Sequence, residues 1–421
     1  MPQQIRVRSD AESSATNAAK LETLWILTEV YHPEEISTGY YLTSLAEGLS
    51  SKYEVKVLTG QPKHMARGLR APKLEVRNGV EIHRASATTL NKNVMLFRLI
   101  NMVTIGIAMF FRSIRHFKKG DRVLVVTAPP SLPVTTALAA LVRGASYTVL
   151  VQDSYPEILI AVGAARQDSS FVKLVNYINR AVYKHAAKII VMGRDMNELF
   201  QQKSAGLDIP IVTIPNWADL ESIRPAPKES NPLLRKLGLL DKFVLLYAGN
   251  IGHPTDVESI IDAAEQLLEQ PEIHFLFIGA GVKKKWVEEQ VRDRSLTNVT
   301  VLDYMPRSEQ SVFLNACDIG LIALINGMWG TAMPSRTYNI MAAAKPILAI
   351  TQAGSELARV IEEEQIGWYV PPGSPSELTK AVLQIYEQRP ELVRMGMRGR
   401  LAAEKKYSLK KAVGDYGNAM S

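Results

Sequence analysis

Phe243-Val244-Leu245-Leu246-Tyr247-Ala248-Gly249-Asn250-Ile251-Gly252 is the stretch on which the fold turns. Five apolar residues without a polar interruption, stopped by a glycine-bearing turn, describe a strand buried on both faces, and such strands belong to parallel sheets. A helical pattern follows over residues 257–268, then a second apolar strand at 274–278 that also runs into glycines, Gly279-Ala280-Gly281. Outward from there the alternation continues with strand candidates at 299–302, 319–323, 346–350 and 368–370 and a helix at 283–293. Toward the start it recurs as a separate run of strands at 24–28, 55–58, 81–84, 123–127, 147–152, 188–192 and 211–214, with helices such as 40–49 and 171–184 between them. The pattern predicts an α/β chain of two doubly wound, Rossmann-like domains, joined near residues 215–225 and facing each other across a cleft. Ligands of open α/β sheets bind beyond the carboxyl ends of the strands, so the cleft is the expected site.

Composition narrows the chemistry. The 421 residues are 47% hydrophobic and 22% charged, enough for two separate cores. A single cysteine, Cys317, excludes a disulfide framework and a cysteine-cluster zinc site and suits a reducing compartment. The seven histidines contain no HExxH pair, so no metal site is expected. Residues 1–20 are polar and Ser/Ala-rich with no apolar core, which reads as a disordered tail and not as a signal peptide. The net charge of +7 is uneven: residues 51–150 hold 16 Lys and Arg against 4 Asp and Glu, leaving the remainder net negative. A confined basic field predicts an anionic partner on that part of the surface. A membrane leaflet fits; nucleic acid does not, because no RNP, zinc-finger or KH signature is present.

Several strand-end loops carry chemistry. The segment from Glu29 through Tyr31 and His32 to Gly39 is polar and ends in glycine where a helix begins, which suits an anion at the helix amides and equally a capped βα turn. Gly249, Asn250 and Gly252 follow one strand; Gly279 and Gly281 follow the next and lead into Lys283-Lys284-Lys285. Two such turns in one domain suggest a crevice lined for phosphate, although each alone is also a tight turn. The spacing lacks GxGxxG with a ribose-binding acid, which disfavours a dinucleotide dehydrogenase, and no GxxxxGK[ST] occurs, which excludes a P-loop NTPase. The most specific segment runs from Gly327 through Thr331-Ala332-Met333-Pro334-Ser335-Arg336 and Asn339 to Lys345-Pro346. It reads as a glycine-rich loop feeding a helix start, with amides for a diphosphate, Arg336 for its charge and Asn339 for a ribose hydroxyl. An N-capped buried helix with a surface arginine fits the same letters.

The order and spacing of Tyr31-His32-Pro33-Glu34, Gln152-Asp153-Ser154-Tyr155-Pro156-Glu157, Ile214-Pro215-Asn216-Trp217, Gly249-Asn250-Ile251-Gly252 and Pro334-Ser335-Arg336 resemble the retaining glycosyltransferases of family 4. The similarity covers nearly the whole chain after residue 22 and is strongest to the bacterial colanic-acid, O-antigen and L-fucosamine transferase branch. It implies a GT-B fold, with residues 21–216 as the acceptor-binding domain and 217–399 as the nucleotide-sugar domain. A final helix at about 400–421 is expected to cross back onto the first domain. Gly39, Tyr304 and Met305 join the glycines and residues 331–335 and 339 as the implied donor site. The chain departs from the family where two acids are usual, carrying Thr331 and Asn339 instead. It also carries His253-Pro254-Thr255-Asp256 where Arg and Lys are usual, and Thr127-Ala128-Pro129-Pro130 in place of a histidine. Diphosphate charge then falls to helix amides, Arg336 or Lys283 to Lys285.

The implied reaction is a metal-independent and cofactor-independent transfer of a sugar, from a UDP-linked donor, to a lipid-linked saccharide in surface polysaccharide synthesis. Arg336 stabilises the leaving diphosphate, and Asp153 and Glu157 orient the acceptor, with Tyr31, His32 and Arg98 as further acceptor contacts. Residues 94–111 form an almost wholly apolar helix broken by Arg98, Asn101 and Thr104 and followed by Arg112, Arg115, Lys118 and Lys119. That pattern fits an interfacial helix on an anionic leaflet, or a core helix. The first reading places the protein on the cytoplasmic face of the inner membrane with a polyprenyl-diphosphate-linked sugar as acceptor. A nucleotide-sugar 2-epimerase of the same fold and a catalytically silent nucleotide-binding partner are the competing readings.

Overall fold

The computed structural model describes residues 21–63, 70–88, 90 and 95–421, without the side chains of Met95 and Arg98. The expected tail lies outside the described residues. Strands β1 (Thr23–Leu27), β2 (Glu54–Gly60), β3 (Leu74–Arg77), β4 (Val80–Ala85), β5 (Arg122–Val126), β6 (Ser146–Val151), β7 (Lys188–Val191) and β8 (Ile211–Thr213) form the first sheet. Its order is β3-β4-β2-β1-β5-β6-β7-β8, parallel throughout except where β3 runs antiparallel to β4. Helices α1 (Ser37–Leu49), α2 (Met95–His116), α3 (Ser131–Arg143), α4 (Glu157–Ala161), α5 (Ser170–His185) and α6 (Arg194–Lys203) connect the strands. The second domain begins with α7 (Pro232–Leu237). Its sheet contains β9 (Phe243–Asn250), β10 (Ile273–Ala280), β11 (Val299–Leu302), β12 (Ile319–Ala323), β13 (Ile347–Ile350) and β14 (Gly367–Val370), all parallel in the order β11-β10-β9-β12-β13-β14. Helices α8 (Val257–Gln266), α9 (Lys284–Asp293), α10 (Gln310–Leu314), α11 (Arg336–Ala342), α12 (Glu356–Glu364) and α13 (Pro375–Glu387) cover it.

In each sheet the order reverses beside one strand, β1 in the first and β9 in the second, and the crevice outside their carboxyl ends is where such folds hold ligands. The strand cores are the apolar runs of the sequence: Leu24, Ile26, Val123 to Val126, Val244, Leu245 and Phe275 to Phe277 are fully buried.

The last helix differs from expectation. The chain does not cross in one helix but ends α14 (Leu392–Lys406) at Tyr407 and restarts as α15 (Leu409–Met420), capped by Ser408. The break lets the returning chain pair with the outgoing one: the Ala218 amide donates to the Tyr407 carbonyl at 2.8 Å, and Ala218 and Ser408 form a parallel bridge. Beyond it α15 packs on α1, with Lys52 and the Tyr53 hydroxyl both donating to the Gly417 carbonyl. Trp217, fully buried at the outgoing crossing, meets Tyr41 edge to face at 4.8 Å, and the Tyr41 hydroxyl donates to its carbonyl at 2.9 Å.

Helix α2 is buried on one side and exposed on the other. Ile105 and Met109 are buried in the core, while Leu96, Leu99, Val103, Ile107 and Phe111 form one outer stripe, 46–66% exposed. Asn101 and Thr104 are not part of that stripe; they hold Thr88 and Leu90 by hydrogen bonds of 2.7–3.0 Å. Among the described residues no helix is long and apolar enough to cross a membrane.

Candidate active site

The glycine turns are built for each other before they are built for a ligand. A Cβ on Gly279 would lie 1.9 Å from the Gly249 carbonyl oxygen, and one on Gly281 would lie 2.2 Å from that of Ile251. Only glycines let these two loops lie this close, and Ile251 N–H to Ala280 O (2.9 Å) and Lys283 N–H to Ile251 O (3.0 Å) zip them together. Gly252 sits against the Asn250 amide for a similar reason, leaving Asn250 exposed at the end of β9.

Gly249 has a second duty. Its φ is +143°, and a Cβ there would come within 2.9 Å of the Arg336 guanidinium carbon. Arg336 opens α11, and its guanidinium lies over the Tyr247 ring at 4.7 Å. Its Nη1 is buried and has no hydrogen-bond partner among the described residues. A buried cationic donor without a partner is costly, which makes Arg336 the candidate for an anion at the β9 crevice. The lysines after Gly281 are not held in that way. Lys283 is engaged by Thr255 O (2.8 Å) and Glu258 (2.9 Å) and Lys284 by Asp303 and Glu288, whereas Lys285 is exposed and only 3.5 Å from Glu289.

The loop before α11 is gripped from the first domain. Ser154 N–H donates to Thr331 O (2.8 Å), Gly330 N–H donates to Asp195 Oδ2 (3.2 Å), and the Ser335 and Ser37 hydroxyls are 2.8 Å apart. Met333 is buried, and Ala332 and Pro334 are half-buried. Tyr304 and Met305 follow β11, Tyr304 being 42% exposed. Beside them Arg307 lies over the Tyr40 ring and pairs with Asp219 at 3.3 Å, a junction of both domains and the crossing that sequence reasoning missed.

Several expected roles move. Thr331 is buried and spends its hydroxyl on the Met328 carbonyl at 2.8 Å, so it closes a turn and has no free donor to offer a sugar. Asn339 is buried too, and its side-chain Oδ1 accepts the Asp219 N–H at 3.3 Å, which ties it to the crossing. Gly39 is explained by its own turn, where a Cβ would lie 2.2 Å from the Glu34 carbonyl oxygen. Tyr31 is core, 2% exposed, and has no face for an acceptor. Glu157 is consumed by Lys203 (2.5 Å) and the Ser154 hydroxyl (2.7 Å). Burial lowers the Lys203 pKa, and the nearby Glu157 charge counters that. His32 remains half-buried, with burial holding its ring below the usual pKa. The Arg98 side chain lies outside the described residues.

Asp153 stands apart. The hydroxyl of Thr127, which stands after β5 where the family has a histidine, donates to the Asp153 carbonyl (2.9 Å) and accepts the Asp153 N–H (3.3 Å), fixing the loop after β6. Its carboxylate has no partner among the described residues, and burial pushes its pKa up to about 6. An unpaired, desolvated carboxylate at a strand end is a candidate for contact with a ligand.

Known proteins resemble the chain throughout. Residues 38–217 match the glycosyl transferase 4-like domain and residues 231–402 match the glycosyl transferases group 1. A probable glycosyltransferase, WbjE of Pseudomonas aeruginosa, is 32% identical over 299 residues, 70% of this chain and 74% of that one. The chain belongs to the group 1, family 4-like glycosyltransferases. Within this family, a putative colanic acid biosynthesis glycosyl transferase of Escherichia coli, WcaI, is 24% identical over 343 residues, covering 79% of this chain and 84% of the other. The solved structure of HepE from Anabaena, in complex with UDP-glucose, superposes with a TM-score of 0.70 at 14% identity, covering 94% of this glycosyltransferase and 99% of HepE. The fold is therefore GT-B, and the protein is a glycosyltransferase.

Proposed function

We propose that this glycosyltransferase moves a sugar from a UDP-linked donor to a lipid-linked saccharide on an anionic membrane surface, with retention of configuration and without a metal, in the assembly of a surface polysaccharide. The observation that carries the reading is the orphaned Arg336 guanidinium against Gly249. Cleavage of the bond between anomeric carbon and phosphate oxygen puts positive charge on the sugar and negative charge on the departing diphosphate. A fixed cation aimed at the phosphates stabilises that charge with no reorganisation during reaction. With the acceptor hydroxyl on the leaving-group face, the diphosphate oxygen takes its proton, and Asp153 orients that hydroxyl by accepting a hydrogen bond. The choice of nucleotide draws on the UDP-glucose held by HepE, and polysaccharide assembly on the likeness to the colanic acid transferase WcaI.

The acceptor class rests on the outer surface of the first domain. Leu138, Leu141 and Val142 of α3, which packs against α2, and Phe171 and Leu174 of α5, which packs against α3, are also more than half exposed. Exposed Arg115, Lys118, Lys119, Arg143 and Lys173 lie on the same three helices or directly after α2. Apolar side chains with basic neighbours are the chemistry of an anionic leaflet, the place where a polyprenyl-linked acceptor is met.

Thermal shift with UDP, GDP and ADP tests the donor. At about 100 times its dissociation constant a ligand adds roughly 2.7 kcal/mol, several degrees for a protein of this kind. Stabilisation by UDP alone, lost in Arg336→Met, is the expected result. Stabilisation by GDP alone overturns the choice of base, and no shift with any nucleotide overturns the donor site.

A further inference from the structure

Asp195 is 3% exposed and belongs to the first domain, yet it reaches into the second. Its Oδ2 accepts the Gly330 N–H (3.2 Å) and the Glu356 N–H at the start of α12 (3.0 Å), and its Oδ1 accepts the Met196 N–H (2.7 Å). Among the described residues no cation pairs with it; neighbouring Arg194 goes to Glu356 and Glu363. Gly330 delivers its amide from a left-handed conformation, φ +69°, with the Asp195 carbonyl and the Leu199 Cβ each 3.1 Å from where a Cβ would stand. Six residues later along the same loop stands Arg336.

We propose that Asp195 is a positioning residue for the donor: its carboxylate, supplied by one domain, fixes the Gly330 loop of the other, so that the diphosphate-binding arrangement at Arg336 is complete only when the domains are closed. The inference rests on the donor site lying at Arg336. A carboxylate suits the task because it has acceptors and no donor. An asparagine of the same shape turns an N–H₂ toward at least one of three converging N–H groups. Coupling of this kind is reciprocal: if closure orders the donor loop, a bound nucleotide holds the domains closed by the same factor.

The test compares Asp195→Asn with Glu198→Ala, which breaks the Glu198–Arg359 ion pair (2.7 Å) at the same interface without touching the donor loop. Two quantities are measured in the full chain: amide hydrogen exchange at Gly330 and Glu356 without ligand, and UDP affinity by calorimetry. Asp195→Asn is expected to lose protection at Gly330 and to bind UDP at least about tenfold more weakly, while Glu198→Ala changes affinity less than about threefold. In the unmodified protein UDP is expected to slow exchange at Glu356, a readout that needs no substitution. Unchanged Gly330 protection in Asp195→Asn, unchanged UDP affinity in that variant, or equal losses in both variants overturns the proposal. Failure of the unmodified protein to bind UDP refutes the donor reading instead, and hydrogen exchange alone then decides whether Asp195 holds the loop.

Discussion

Replacing Leu99, Ile107 and Phe111 together by serine isolates the apolar part of membrane binding. These side chains are 51%, 51% and 66% exposed, so each has about half its surface free for lipid. Full burial of such a side chain is worth about 1.5–3 kcal/mol, which gives roughly 1 kcal/mol for each exposed half and roughly 3 kcal/mol for the three. At about 1.4 kcal/mol per decade, partitioning onto vesicles falls about 100-fold. The opposite face of α2, with Ile105 and Met109, is untouched, so the melting temperature is expected to stay within about two degrees. Cosedimentation with phosphatidylglycerol-containing vesicles reads the effect at low and at high salt. Near 1 M salt the Debye length falls to about 3 Å, so the contribution of Arg115, Lys118 and Lys119 fades while the serine effect persists. Equal partitioning of the triple variant and the unmodified protein refutes the proposed docking face, as does failure of the unmodified protein to bind anionic vesicles.

Four other outcomes are expected. Burial raises the Asp153 pKa in the folded state, so its ionisation opposes folding: the stability it allows is fully present below about pH 4 and is lost as pH rises through about 6. Asp153→Asn should therefore melt higher than the unmodified protein at pH 8 and equally at pH 4. Transferase activity of the unmodified protein should fall with one-proton slope as pH drops through about 6; a flat profile there removes Asp153 from the reaction. Gly249→Ala drives a methyl group into the Arg336 guanidinium, and should weaken UDP binding by about tenfold or more in calorimetry while the protein still folds. Glu157→Gln leaves Lys203 without its counter-charge in a partly buried place and should cost about 2–3 kcal/mol in denaturant unfolding with UDP affinity unchanged; a selective loss of transfer would restore Glu157 to the acceptor site.

What is legible in the sequence follows from what its letters are asked to do. Every uninterrupted apolar run expected as a strand is one, because burial on both faces leaves a single-valued pattern. β3 gives no such signal, because its Leu74 and Val76 lie on an exposed edge. The glycines do mark points of close approach, but letters do not say to what: Gly39, Gly279 and Gly281 approach backbone, whereas Gly249 approaches the Arg336 guanidinium. Arg336 is readable because it begins a helix after a glycine-rich loop. Position in a motif assigns Thr331, Asn339 and Glu157, whereas their partners at Met328, Asp219 and Lys203 are fixed by tertiary contacts. Asp195 reads as an ordinary acid in the first turn of a helix, since the amides it serves lie 135 and 161 residues further on.

The paired crossings at Ala218 and Ser408 have a consequence for the order of assembly. The first domain receives its closing helix, α15, only after about 200 residues of intervening chain have been made, whereas the second domain up to α14 is continuous. At a synthesis rate of about 5–20 residues per second, the otherwise complete first domain waits roughly 10–40 s for α15 on the ribosome. The domain that is translated first is thus completed last, and the second domain is folded between its two halves.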